Sequence, residues 1–217
     1  LSRRDTPARR GELASALAGW ASMHQPPQRR RAEPVGDLSP AEALALIPDG
    51  RPGSAHEGGT ISAGIKTGAS APGVAEAVAH ADLSGPVEAA GDRVLIAFAA
   101  LFLARAEDPF TALVFTHAIT GVTAVRRLAP LVDEPAARAL LFEAFEAGAA
   151  MKAGFAPRGI APDPDPTARL KTAVARAASG GAAHAIKLAD ALVEAHARST
   201  APVFAQACER GIVLLDG

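Results

Sequence analysis

Apolar residues recur at three- and four-residue intervals along most of this chain, while runs of β-branched residues are rare. That period is helical, and the abundant alanine reinforces it because alanine loses no side-chain entropy on entering a helix. ELASALAGWASMHQ (12–25) spaces Leu13, Leu17 and Trp20 for one face and predicts a first helix, stopped by Pro26 and Pro27. A polar linker, PPQRRRAEPVGD (26–37), leads to LSPAEALALIP (38–48). There Ser39 suits the cap, Pro40 the first turn, and Glu42 stands three residues after the cap, so a short capped helix is expected.

DGRPGSAHEGGTISAGIKTGASAPG (49–73) is rich in Gly, Ser and Pro without a sustained apolar period, and reads as one long loop. Beyond it the pattern predicts helices over 73–82, 86–106, 109–131, 134–154, 165–179, 182–198 and 201–214, with breaks at Gly or Pro. The expected fold is all-α: a single domain over 1–217 of packed antiparallel helices with one long Gly/Pro/Ser-rich loop.

Composition narrows the functional classes. The 217 residues are 49% hydrophobic and carry a net charge of −1, enough for a real core and too little positive charge for a nucleic-acid binder. The longest apolar run, VLIAFAALFLA (94–104), is too short to span a bilayer and is bracketed by Asp92, Arg93 and Arg105, so a buried core helix and no membrane contact are expected. Cys208 stands alone, which excludes an internal disulfide framework and makes the cytoplasm the expected compartment. No signal peptide is apparent, and the start at Leu1 suggests a trimmed or incomplete N-terminus.

The chemistry that stands out is histidine. His117 falls in FTHAITG (115–121), on a stripe with Phe110, Leu113, Val114, Gly121, Ala124 and Leu128, which predicts a core imidazole held by a carbonyl, a hydroxyl or a metal. Gly121, one turn on, would let another helix or a ligand approach the backbone. His184 and Lys187, in GAAHAIKLAD (181–190), share a helix face. Lys187, Asp190, Glu194 and Arg198 also form a strip at ion-pairing spacings, so a solvated face with Ile186, Ala189 and Val193 buried is the competing reading. His24, His80 and His196 lie late in their helices and suit the helix dipole, while His56 stands in the loop beside Glu57. No HExxH, CxxC, GxGxxG or GxSxG occurs.

Three phrases together resemble the questin oxidase-like family: ELASALAGWASMHQP, VFTHAITGVTAVRRLAP (114–130) and AAHAIKLADALVEAH (182–196). The resemblance covers the C-terminal part of that family's usual length. It implies an α-helical oxidoreductase that oxygenates or oxidatively cleaves an aromatic, polyketide-like small molecule, with dioxygen and NADPH as co-reactants. It also implies non-haem iron, with His117, His184 and Lys187 as metal ligands; because an ammonium cannot ligate, Lys187 would be a neutral or carbamylated ligand in a buried site, or a base. Thr120, one turn from His117, is a further candidate that would supply a hydroxyl. The family's N-terminal histidine phrases, resembling HLPM and HGLIHL, do not occur here. A second chain or a missing N-terminal segment would then complete the site. The alternative is a non-enzymatic or degenerate helical module whose histidines are structural.

Overall fold

The structure, a computed structural model, describes residues 34–49, 60–155, 161 and 163–216, with isolated positions among the first eighteen. The chain divides into two compact units, Leu1–Arg31 and Ala32–Gly217. In the first, Pro7, Arg10, Gly11, Ala14, Ser15 and Ala18 are helical, so helix begins before the expected Glu12. Thr6 followed by Pro7 is the start signal, and the Arg10 amide donates to the Thr6 carbonyl at 3.0 Å. The remainder of 12–25, with Trp20 and His24, lies outside the described residues.

The second unit is all-α among its described residues. It comprises α1 (Pro40–Ala45), α2 (Ile61–Ala69), α3 (Val74–His80), α4 (Val87–Arg105), α5 (Pro109–Leu128), α6 (Glu134–Gly154), α7 (Leu170–Gly180), α8 (Ala183–Arg198) and α9 (Pro202–Leu215). A single 3₁₀ turn, Ala129–Leu131, follows α5. The boundaries follow local chemistry. Ser39 and Glu42 form the expected capping box on α1, Asp108 with Thr111 forms one on α5, and Asp133 caps α6. Gly181 ends α7 in the left-handed conformation, φ 80°, which glycine adopts without steric cost.

The loop expected over 49–73 is interrupted by α2, capped by Thr60. This helix packs through glycine rather than through a stripe of large apolar residues, which is why no apolar period announced it. Gly64 and Gly68 lie one turn apart against α6 and its end; the Phe155 ring covers Gly64, and the Ala150 carbonyl sits where a Cβ on Gly68 would be. Residues 50–59, including His56 and Glu57, lie outside the described residues.

At the centre α4 is buried over most of its circumference and touches α1, α5, α6, α8 and α9. Its Phe98 and Phe102 meet Phe115 and Ile119 of α5, Leu141 and Phe145 of α6, and Leu188 and Leu192 of α8 in one apolar cluster. Phe98 and Phe145 stack with centroids 5.9 Å apart. The run 94–104 is therefore core, as its length implied. Among the described residues no helix is long and apolar enough to cross a membrane.

Candidate functional site

Packing leaves α5 one open strip. Its buried sides carry Ala112, Val114, Phe115, Ala118, Ile119, Val122 and Val125, while Leu113, Thr120 and Gly121 are half-buried and His117, Ala124 and Leu128 are exposed. The expectation that His117 points into the core is thus corrected. Helices α4, α6, α8 and α9 all contact α5, and the strip they leave contains apolar Leu113, Ala124 and Leu128, which disguise a solvent edge as a core face.

On α8 the buried side is built of Ala185, Leu188, Ala189, Ala191, Leu192 and Ala195. Ile186 and Val193, expected on that side in the solvated reading, are 43% and 40% exposed. Alanine gives the buried face because its small size lets α8 close onto α5 and α9. Lys187 and Asp190 are exposed, as the solvated reading expected, and His184 is half-buried at the edge facing α5.

Two histidines 67 positions apart in sequence are brought together by this packing. The rings of His117 and His184 lie with centroids 5.5 Å apart, inclined at 49°. His117 Nδ1 is 2.7 Å from the Leu113 carbonyl one turn back. A carbonyl can only accept, so Nδ1 carries a proton, and in the neutral ring Nε2 is the nitrogen with the lone pair. Burial, then the neighbouring His117 and Lys187, hold His184 below the usual imidazole range and favour its neutral form.

Further along the same interface, Arg127 Nε donates to Glu194 Oε2 at 2.8 Å and its Nη2 to Asp190 Oδ2 at 2.7 Å. The His117–His184 and Arg127–Glu194 contacts advance equally along both helices, so α5 and α8 run parallel here. Asp92 of α4 adds a second tie, 3.1 Å from Arg126 Nη2 and 3.4 Å from Arg198 Nε.

The other expected site residues lie beside the pair without the environment their expected roles need. Thr120 donates its hydroxyl proton to the Thr116 carbonyl at 2.9 Å, within its own helix. Lys187 is exposed, so the buried setting that an amine or carbamate ligand requires is absent there. No group of three or more His, Cys, Asp or Glu side chains among the described residues is arranged to hold a metal ion. Two imidazoles sharing one ion through bonds of about 2.0–2.1 Å place their centroids roughly 4.5–5.5 Å apart for bond angles between square and trigonal. The observed pair fits at the outer edge of that range. It would offer two ligands, short of the full iron set that the resemblance implies.

The other two described histidines have other surroundings. His80 Nδ1 is 2.7 Å from Asp37 Oδ1, fastening the segment before α1 to the end of α3, where Leu38 and Ala81 form an isolated parallel bridge. His196, in the last turn of α8, lines a cavity of about 320 Å³ with Arg169, Leu170, Pro202, Ala205 and Gln206. Cys208 is buried and its thiol is pushed up to about 12, which makes it inert packing. Sequence reasoning passed over Arg105 and Lys152, two buried cations at helix ends. The available signal was context: AAMKAG gives Lys152 no polar neighbour within two residues. No protein-family model, curated protein or solved structure matches this chain.

Proposed function

We propose that this chain is a helical metal-binding domain in which His117 and His184 form a two-imidazole edge for a divalent transition-metal ion. The observation that carries the reading is the meeting of the two rings, one with its tautomer fixed by the Leu113 carbonyl and the other biased toward the neutral form. Metal-ligating histidines characteristically donate their second nitrogen to a carbonyl or carboxylate, as His117 does. Imidazole donors suit Zn, Cu, Ni and Fe, and a site with only two protein ligands keeps positions for water and substrate. Redox work on an aromatic small molecule, as in the questin oxidase-like proteins the chain resembles, is the activity such a site would serve. Because the described ligand set is short of an iron centre, no reaction step is assigned.

A second reading has its own observation. The Leu113 carbonyl bond already satisfies one nitrogen of His117, and Arg127 already joins α5 to α8, so both histidines could be structural. Equilibrium dialysis against Zn²⁺ and, anaerobically, Fe²⁺ separates the two. The expected result is one ion per chain, lost at least about tenfold in affinity in His117→Ala and in His184→Ala, and retained in Lys187→Met. A parent chain that retains no ion, or histidine variants that bind as well as the parent, would establish the structural reading.

A further inference from the structure

Two buried cations meet at one edge of the core with, among the described residues, a single carboxylate between them. Arg105 closes α4 at the end of its apolar run, and Lys152 occupies the last turn of α6 among Ala149, Ala150, Met151 and Ala153. They are 7% and 9% exposed. Both are directed at the same oxygen, Oδ1 of Asp49: Arg105 Nη2 bonds it, and Lys152 Nζ lies 3.7 Å away. Lys152 also donates to the Ile47 carbonyl at 2.5 Å. Arg105 Nη1 is buried and has no hydrogen-bond partner.

A basic residue in a last helical turn complements the dipole, which would account for either cation alone at a surface. It does not account for burying both against one acid. The other deeply buried guanidinium among the described residues, Arg126, likewise has nitrogens without a partner, Nε and Nη1, but it faces Asp92 and feels Glu194 and Glu88 as well as Arg198. At Arg105 and Lys152 positive charge exceeds negative among the described residues, and Arg105 Nη1 is left without a partner. Asp49, by contrast, has a side chain 68% exposed and engages through one oxygen.

We propose that Arg105 and Lys152 form a binding site for a small carboxylate, which Asp49 fills from within the chain as a displaceable stand-in. An incoming carboxylate would take both terminal nitrogens of Arg105 as a fork, satisfying Nη1, and would accept from Lys152 Nζ with its outer oxygen. Asp49 leaves cheaply because most of its side chain is already in water. Burial, then the adjacent Arg105, keeps the Lys152 ammonium below its usual range, consistent with a cation short of counter-charge.

The test uses the full chain with succinate, at ionic strength held constant with NaCl. In Asp49→Ala, calorimetry should show succinate binding about tenfold or more tighter than in the parent, and succinate should raise the melting temperature where NaCl does not. Lys152→Met in the Asp49→Ala background, checked for folding by circular dichroism, should lose that binding. Asp49→Ala removes the described counter-charge of two buried cations, so Asp49→Asn, which keeps the side-chain shape, decides if either of the other variants fails to fold. Equal succinate affinity in parent and Asp49→Ala would overturn the proposal, as would a NaCl effect equal to that of succinate. Stronger binding of inorganic phosphate than of succinate would overturn the assignment to carboxylates.

Discussion

One substitution made at two glycines should give opposite results. Gly121 of α5 has nothing within 4 Å of where a Cβ would lie, whereas a Cβ on Gly68 of α2 would overlap the Ala150 carbonyl of α6. Alanine gains about 0.8–1.0 kcal/mol over glycine within a helix. At Gly121 that gain is unopposed, so Gly121→Ala should raise the melting temperature by about 2–4 °C, the shift of roughly 1 kcal/mol in a domain of this size. At Gly68 the obstacle is backbone, which cannot rotate aside, and overpacking of this kind costs about 1–3 kcal/mol with a rigid neighbour at the upper end. Against the propensity gain the net loss is about 2 kcal/mol, or roughly 4–8 °C. Scanning calorimetry on the two variants and the parent measures both signs. A Gly68→Ala protein as stable as the parent would refute the close approach of α2 to α6. A destabilised Gly121→Ala would show that something occupies the space one turn beyond His117.

Three further outcomes follow from side-chain environments. The folded-state pKa of His184 is depressed, so its contribution to stability is complete above the ordinary imidazole pKa and is lost as pH falls through the depressed value. Stability measured from pH 7.5 to 5 should therefore decline, and His184→Gln should flatten the curve; an unchanged slope would mean the imidazole is not desolvated. Cys208 should react with a thiol-specific reagent only on unfolding, and fast labelling at pH 8 in native buffer would contradict its burial. Arg127→Ala should cost about 1 kcal/mol or less, and the difference from the parent should shrink in high salt, because Arg127 is 45% exposed and of its partners Asp190 is exposed and Glu194 half-buried.

Helix ends marked by caps and breakers were readable because those signals are local, whereas α2, inside the expected loop, is marked only by the Thr60 cap, and the start of α7, expected at 165 and found at Leu170, has no side-chain cap. Ser39, Pro40 and Glu42 start α1, Asp108 and Pro109 start α5, and Gly181 stops α7, all where those residue types predict. Which side of a helix faces inward is not local. The strip Leu113–His117–Ala124–Leu128 is apolar enough to pass for core and lies outermost only because neighbouring helices cover the other sides of α5. In α2 the information is reversed: Gly64 and Gly68 look like loop residues, and their value is the backbone proximity that a missing Cβ permits. The two histidine phrases were conspicuous on their own and the ion-pair spacing of Lys187, Asp190 and Glu194 already suggested a solvated strip, but the meeting of His117 with His184 required the fold.

The parallel pairing of α5 with α8 explains why the histidine contact is fixed rather than incidental. Two helices joined at one point can slide or rotate about it, and a one-residue rotation on either would swing an imidazole about 100° away. Here Arg127 grips both Asp190 and Glu194, which are four residues apart on one face of α8 and so fix its rotation as well as its height. Arg198 and Arg126 share Asp92 and add a third helix, α4, to the same register. With those ties at one end and the buried alanine face of α8 against its neighbours, His184 has little freedom except the turn of its own ring. Loosening the ties should therefore be felt at the pair: in Arg127→Ala, ion affinity should fall although no ligand has been touched. Affinity unchanged by that variant would mean that packing of the alanine face alone holds the register.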